Sequence, residues 1–396
     1  MSTRVPPIPA ERFVLNIGPS HPVTHGTLRI QIEAEGETIV RSACEIGYLH
    51  RGFEKEAERV YWEQVTPYAE RLNYCSSLHN SVAWCHAVET LLGVRAPPRA
   101  QALRVLASEI ARIMDHLVCL AANILDVGAL SCWWYLYNVR ERLYDLVEDL
   151  CGHRLMVTWG RVGGVATDLP EGWGERLLVV LREAGEAVGE VREMLSSNRI
   201  FLDRVEGVCV ISPKDAIAHG FTGPCLRACG LPRDLRKDEP YWGYERYAFD
   251  VPVRSHGDTL DRMWIRFDEI EASTQIVRQV IESLPSGPVI LDDPGITLPA
   301  REEVQSTMEG LIRHFKRIMH GIHPPRGVVY SATEAPNGEL GFTLVSDGGP
   351  RPWRVKVRSP SFAHFSAFPR MINGSMIADA VAALGSLNVV AGELDR

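Results

Sequence analysis

The stretch "LVCLAANILDVGALSCWWYLY", residues 117–137, decides between a membrane span and two helices of a soluble core. It is long enough to cross a bilayer. However, Asp126 lies near its centre beside Gly128, and a carboxylate there costs roughly 2.5–3.5 kcal/mol on insertion scales. We therefore predict two buried helices that meet near Asp126. A buried aspartate needs a partner, although a helix cap at this corner explains the residue equally simply.

Helical periodicity extends from this stretch in both directions along the chain. Apolar residues at three- and four-residue spacing predict helices near 53–66, 76–93, 98–125, 130–151, 174–196, 257–284, 301–319 and 375–384. Alternation predicts a hairpin that turns at Glu35-Gly36, preceded by a strand at 13–17. Further strands are expected at 249–253, 327–335, 338–349 and 353–360.

These elements predict an α+β protein with a central bundle of long helices. We expect an N-terminal β region with a histidine loop over 1–50, a helical core over 51–200, and a C-terminal α+β region over 201–396. The three parts should form one intimate structural unit, because 396 residues with 45% apolar content can bury a large core.

Composition excludes several classes of function. The net charge is −8 and no block of Lys and Arg occurs, which argues against a nucleic-acid partner. The N-terminus lacks an apolar secretory segment, so we expect a cytoplasmic chain. No dinucleotide- or phosphate-binding glycine motif and no nucleophile elbow is present. The nine cysteines include no Cys-x-x-Cys, and Cys225 and Cys229, in a glycine-bounded loop, are interpreted as core or interface thiols.

The nonapeptide "GPSHPVTHG", residues 18–26, is the first candidate for chemistry. His21 and His25 are four residues apart, but Pro22 and Gly26 oppose a helix and remove the geometry of a helical metal site. A turn between strands fits better, and turns at clefts often carry function. Histidine is also the side chain that titrates near neutral pH. Bonding of the rings to nearby backbone is the alternative explanation.

Read as a string, the chain closely resembles the 49 kDa (D-type) subunit family of proton-pumping NADH:quinone oxidoreductase, respiratory complex I. The matching segments follow in order over nearly the whole chain: "NIGPSHPVTHGTLRI", "EIGYLHRGFEK", "PYAERLNYCSSL", "AVETLLGV", "LDVGAL", "GRVGGVATDLP", "GPCLRACG", "DEPYWGYERYAFDVPV", "GELGFTLVSDGG", "WRVKVRSPSF" and "GELDR".

That family is related to the large subunit of nickel–iron hydrogenases, which implies the same fold here. The hydrogenase cysteine pairs would fall at Asn73 and Ser76, and at Val390 and Glu393. None of these is a thiolate, and soft metals need thiolate ligands. The resemblance therefore implies a hydrogenase-like scaffold whose metal pocket is vacated, with no metal held by this chain.

The resemblance assigns the vacated pocket to reduction of a quinone head group. His25 and Tyr74 match the residues that bond the two quinone carbonyls, and Asp126 matches the aspartate that pairs with the histidine. His21 and Thr24 belong to the same loop and are candidate quinone contacts.

A second group of positions is expected near an iron–sulfur cluster held by a neighbouring subunit. These are Arg51, Arg161 and position 156, where many family members carry a histidine and this chain carries Met156. Since a thioether cannot titrate, we expect the potential of that cluster to be nearly independent of pH between pH 6 and 8. The family's "RLDY" is also changed, to "RLNY" with Asn73.

As cofactors, the resemblance implies quinone as substrate, no group bound by this chain alone, and NADH used elsewhere in the complex. As partners it implies the cluster-bearing B-type subunit, the C-type (30 kDa-like) subunit, the membrane-arm H-type subunit and the ferredoxin-like I-type subunit. The location would be peripheral, on the cytoplasmic side of the cell inner membrane. Three alternatives stay open: a related membrane complex with ferredoxin or another donor, a metal-free scaffold without a redox role, and a hydrogenase, which the missing thiolates disfavour.

Overall fold

The N-terminal part is a three-stranded antiparallel sheet that packs one face on the core. The computed structural model describes residues 12–396. The prediction that the N-terminus lacks a secretory segment concerns residues that lie largely outside this range. The strands pair in the order β1 (Arg12–Ile17), β2 (Arg29–Glu35) and β3 (Thr38–Glu45). Ile30, Ile32 and Ala34 alternate inward along β2 and are buried. The predicted hairpin and the strand before it are confirmed.

The centre of the molecule is built from long helices. The elements in chain order are α1 (Phe53–Ala57), α2 (Thr66–Ala69), α3 (Ser77–Leu92), α4 (Pro98–Asp126), α5 (Leu130–Cys151), β4 (Gly160–Arg161), β5 (Gly164–Val165), α6 (Trp173–Ser196), α7 (Arg199–Val205), α8 (Pro213–Ala218), α9 (Gly223–Arg227), α10 (Leu235–Asp238) and α11 (Thr259–Glu282). Helix α4 lies in the middle, packed against α3, α5 and α11. The predicted long helices are confirmed.

The C-terminal part combines a second sheet with short helices. Its elements are α12 (Arg301–Ser306), α13 (Met308–His320), β6 (Gly327–Ala335), β7 (Gly338–Ser346), β8 (Arg354–Arg358), α14 (Pro360–Ser366), α15 (Phe368–Ile372), α16 (Ile377–Leu387) and α17 (Ala391–Asp395). The three strands lie in the segments where strands were predicted, and they pair antiparallel in chain order. The molecule is therefore of the predicted α+β class.

The stretch 117–137 is two helices, as predicted. Helix α4 ends at Asp126, residues 127–129 form the corner, and Gly128 adopts a φ of 103° there, which a side chain would strain. Helix α5 begins at Leu130. None of the helices described over 12–396 combines the length and apolarity needed to cross a bilayer.

Four local predictions are wrong in detail. Helix 53–66 stops at Ala57, because Trp62 turns inward and its indole Nε1 donates to the Gly349 carbonyl at 3.2 Å. Residues 249–253 form no strand, and Pro252 lacks the N–H that a ladder needs. Helix 301–319 breaks at Thr307, whose side chain caps α13.

The fourth concerns "GPCLRACG", predicted as a loop, which contains the helical turn α9. Gly223 and Pro224 begin this turn, and proline is suited to the first turn of a helix. Cys225 and Cys229 are 0% and 2% exposed, so the interpretation as core thiols is confirmed.

Candidate functional site

The histidine loop between β1 and β2 is a single 3-10 turn, Pro22–Thr24, held by its own hydrogen bonds. The Nδ1 atom of His21 accepts from the Val23 N–H at 3.2 Å. The buried Thr24 hydroxyl lies 2.7 Å from the carbonyl oxygens of both His21 and Gly26. His21 is exposed, and the Thr24 hydroxyl is paired within the loop, whereas the His25 side chain contacts a residue outside the loop.

His25 is aimed by its backbone and contacts Asp126. Its φ of 49° is left-handed, a conformation in which histidine is enriched several-fold among non-glycine residues. Its Nε2 lies 2.5 Å from Oδ2 of Asp126, with the two side chains 26% and 15% exposed. Asp126 is the last residue of α4, so the end of this helix lies next to the histidine loop. The contact occupies Nε2 and leaves Nδ1 as the ring nitrogen for a ligand.

Tyr74 begins a 3-10 turn, Tyr74–Ser76, immediately before α3. The Oδ1 atom of Asn73 accepts from the Cys75 N–H at 3.1 Å and so caps this turn. Burial, helped by the charge of nearby Asp115, raises the pKa of the half-buried Tyr74 to about 12. The phenol therefore stays protonated at neutral pH and donates readily only to a partner that carries negative charge.

The C-terminal segment brings the histidine loop and the tyrosine turn to one place. A Cβ added to Gly26 would lie 2.9 Å from the Cβ of Ala391. A Cβ added to Gly392 would lie 2.6 and 2.5 Å from the carbonyl oxygens of Arg71 and Leu72. Since residue 26 adjoins His25 and residue 72 is two before Tyr74, both candidates flank the same short stretch of backbone.

The four positions at which the resemblance predicted hydrogenase cysteines lie in these same two segments. Asn73 and Ser76 belong to the tyrosine turn, and Val390 and Glu393 belong to the C-terminal segment. Glu393 accepts from the backbone N–H of Ser361 at 3.2 Å and from its hydroxyl, and burial raises the pKa of Glu393 to about 7. The residues from 12 onward contain no group of three or more His, Cys, Asp and Glu side chains that could hold a metal ion.

Arg51 and Arg161 are the two arginines predicted near a neighbouring cluster. Nη2 of Arg51 donates to the Arg71 carbonyl at 2.7 Å. Nη1 of Arg161 donates to the Thr158 carbonyl at 2.5 Å, within the hairpin region. Met156, in the same connection, is half-buried. The structure thus places these cations at a surface, where the Arg161 side chain is exposed.

Sequence reasoning missed Glu70, a buried carboxyl group near Arg71 and Arg161. An Nη1–Oε2 distance of 4.0 Å separates Arg71 from Glu70, whose side chain is 1% exposed. Burial raises the pKa of Glu70 to about 7 even though Arg71 and Arg161 act to lower it. Little in the sequence indicates that Glu70 is buried, because the adjacent charges in "AERL", residues 69–72, are typical of a solvent-exposed helix face.

Sequence reasoning also missed Asp115, which is fully buried in α4. Its carboxylate accepts from Nδ2 of Asn73 at 2.7 Å and from Nδ2 of Asn388 at 2.7 Å. A signal was present, because "IMDHL" puts a carboxylate inside an otherwise apolar helical stripe, as "ILDVG" does for Asp126.

Comparison with known proteins shows the family of the chain. The family model described as "Respiratory-chain NADH dehydrogenase, 49 Kd subunit" matches residues 126–396. The D-type NADH-quinone oxidoreductase subunit of Myxococcus xanthus is 48% identical over 386 residues, which is 98% of this chain and 93% of that protein. The D-type subunit of Pelobacter propionicus is 44% identical over 383 residues, 97% of this chain and 95% of that one.

A fused relative occurs as well. The fused C/D-type NADH-quinone oxidoreductase subunit of Bdellovibrio bacteriovorus is 50% identical over 382 residues, which is 96% of this chain and 68% of the relative. Matches of this extent, in a family model that covers more than half of the chain, establish membership. The chain therefore belongs to the family of the 49 kDa subunit of respiratory-chain NADH dehydrogenase, whose members are subunits of an oxidoreductase complex.

Proposed function

We propose that this chain forms the quinone-reduction site of proton-translocating NADH:quinone oxidoreductase. The observation that carries the proposal is the contact of His25 with Asp126 beside the backbone segment on which the Tyr74 turn also packs. Relatives named NADH-quinone oxidoreductase subunits favour NADH over another electron donor. On this proposal the scaffold is the nickel–iron hydrogenase large-subunit fold, with the parts 1–50, 51–200 and 201–396 cooperating as one unit.

The chemistry needs two electrons and two protons. The electrons come one at a time from the iron–sulfur cluster of a neighbouring subunit, and the quinone is reduced to the quinol. One proton comes from His25, through the nitrogen that Asp126 leaves available, and the other from the Tyr74 hydroxyl. Because the pKa of Tyr74 is about 12, its proton moves only after the quinone has gained charge. Protons from water then restore both donors.

Asp126 couples this chemistry to the rest of the complex in our proposal. When His25 gives up its proton, the carboxylate loses its charged partner, and the change in the pair's energy favours rearrangement of the loop. Asp126→Ala should therefore lower the rate or stoichiometry of proton pumping. Pumping at the wild-type rate and stoichiometry in this variant would remove the basis of the coupling.

The partners in this proposal are those of the complex. The fusion of C-type and D-type parts in one relative supports a C-type partner. We further propose contacts with the B-type subunit that carries the cluster, near Arg51, Met156 and Arg161, and with the H-type and I-type subunits. The chain would lie peripherally on the cytoplasmic side of the cell inner membrane. Quinone is its substrate, and NADH is bound elsewhere.

The test is quinone reduction by membranes that carry Tyr74→Phe or His25→Ala. Both variants should lose most quinone-analogue reductase activity, since each removes a proton donor, while oxidation of the donor by an artificial acceptor persists. Tyr330→Phe is the matched control, because that exposed tyrosine lies in β6 and its hydroxyl donates to Glu339. Full quinone reduction by Tyr74→Phe would contradict the proposal.

A further inference from the structure

Asp115 joins the two segments that flank the proposed quinone site. It lies eleven residues before Asp126 in α4, about three helical turns away. Its two carboxylate oxygens accept from different side-chain amides: Oδ2 from Asn73 and Oδ1 from Asn388, each at 2.7 Å. The Asp115 side chain is 0% exposed, so these hydrogen bonds form away from water, where an unpaired carboxylate is costly.

Each of the two amides belongs to a segment of the site. Asn73 caps the Tyr74 turn through Cys75, and its own carbonyl accepts from Nδ2 of Asn80 at 2.9 Å. Asn388 has a left-handed φ of 51° and lies between α16 and α17, directly before the segment that contacts Gly26. A single buried carboxylate thus ties the tyrosine turn to the backbone on which the histidine loop packs.

We propose that Asp115 is a positioning residue for quinone reduction, which acts by setting the place of the Tyr74 hydroxyl relative to the His25 loop through Asn73 and Asn388. This inference rests on the proposed function. It also explains the departure at Asn73: the pair needs one carboxylate and one amide, and in this chain α4 supplies the carboxylate.

Counting donors and acceptors shows what each change would do. In Asp115→Asn the new side chain has one acceptor and one donor group, so it satisfies Asn388 but turns an NH₂ group toward the NH₂ group of Asn73. Asn73 can flip to accept, but it then loses the cap on the Cys75 N–H. In Asn73→Asp two carboxylates face each other, and like charges at this separation oppose the arrangement.

Exchange of the two residues restores every hydrogen bond. In Asn73→Asp with Asp115→Asn, the new asparagine accepts from Asn388 through Oδ1 and donates to the new aspartate through Nδ2. The aspartate still accepts from the Cys75 N–H. The exchanged pair therefore keeps the geometry, with the carboxylate moved from α4 to position 73. If function instead required negative charge on α4, the exchange would not restore it.

The experiment measures kcat and KM for a short-chain quinone analogue in the assembled complex. Asp115→Asn and Asn73→Asp should each lower kcat about tenfold or more, since small displacements of reacting groups have effects of that size. The exchanged pair should return to within about twofold of wild type. Asp203→Asn, an exposed aspartate on α7, controls for loss of one carboxylate, and oxidation of the donor by an artificial acceptor controls for assembly.

Two results would overturn the inference: an exchanged pair that is no better than the worse single variant, or wild-type kcat in Asp115→Asn. If the Asp115→Asn variant fails to assemble, the inference is still tested by comparing kcat of the exchanged pair with kcat of Asn73→Asp and of the wild type. Tyr74→Phe is measured in parallel. Full activity in Tyr74→Phe means that the proposed function fails; loss in Tyr74→Phe without rescue by the exchange means that only the positioning role of Asp115 fails.

Discussion

At the scale of the residue, position 156 carries a side chain that does not titrate. Met156 cannot take up a proton between pH 6 and 8, so the wild-type cluster potential should stay nearly constant in this range. Met156→His should introduce a slope that approaches about 60 mV per pH unit, since reduction would then be linked to uptake of one proton. A redox titration of the neighbouring subunit's cluster at several pH values measures this.

Glu70 supplies the control for that experiment. Its pKa, raised to about 7, makes it a titratable group near Arg161 that the sequence did not reveal. Glu70→Gln removes its proton and leaves its shape. A wild-type slope near about 60 mV per pH unit would refute the prediction of a constant potential. Loss of that slope in Glu70→Gln would assign the proton to Glu70, and its persistence would assign the proton to another group.

The contact of His25 with Asp126 should affect quinone reduction more than the stability of the fold. At 26% and 15% exposure the two side chains stay partly solvated, so water can stabilise each group when the contact opens and the fold does not depend on the contact. Effects of substitutions here should therefore appear in quinone reduction far more than in assembly of the complex.

At the scale of the element, the histidine loop depends on close packing against α17. Gly26→Ala would put a methyl group 2.9 Å from the Cβ of Ala391, closer than such carbons approach, so the loop or helix must shift. We expect lower quinone-reductase activity in Gly26→Ala, because His25 is the adjacent residue. Combination with Ala391→Gly removes the clash and should restore most of the activity.

Gly189→Ala is the matched control for the loop. This glycine lies in α6 with no atom within 4 Å of the added Cβ, and alanine favours a helix. It should leave quinone reduction unchanged. Equal loss in Gly26→Ala with and without Ala391→Gly would show that the contact does not hold the loop.

At the scale of the whole molecule, a buried network of charges joins the central helices to the C-terminal part. Nη1 of Arg236 lies 3.1 Å from Glu109 in α4, and its Nη2 lies 2.7 Å from Asp234. Arg227 continues the network to Glu334 in β6 at 2.8 Å. All five side chains are at most 2% exposed, so each charge relies on its partners rather than on water.

Loss of one member should leave charges buried without compensation. Arg236→Met is expected to destabilise the subunit by about 3–5 kcal/mol. The measurement is the temperature at which the assembled complex loses quinone-analogue reduction. Arg154→Met is the control, because Arg154 contacts Glu141, Asp145 and Glu148 at the surface and should have little effect. Equal shifts in both variants would contradict the role of burial.

The network also has a defined pH dependence. Burial acts to raise the pKa of Glu109, but Arg112 and Arg236 outweigh it and lower that pKa to about 2. Because the folded pKa lies below the unfolded value near 4.5, the stabilisation is complete above pH 4.5 and is lost as the pH falls toward 2.

The sequence by itself determined the elements whose reasons are local. Period and alternation located the long helices, both sheets and the corner at Asp126, because a face buried along one helix or strand leaves its pattern in consecutive residues. The turn at 18–26 followed from its proline and glycines. Exceptions such as Trp62 and Thr307 arise where a distant contact or a single cap outweighs the periodicity.

Only the tertiary structure decided which polar groups meet. His25 finds Asp126 at the far end of a helix remote in the chain, Asp115 gathers Asn73 and Asn388, and Glu70 is buried despite its ordinary surroundings in the chain. No periodicity encodes such pairs, because their energy depends on burial and on the distance between segments that are remote in sequence. For this reason the resemblance in sequence could identify candidate residues, but only the folded structure showed which of them are in contact.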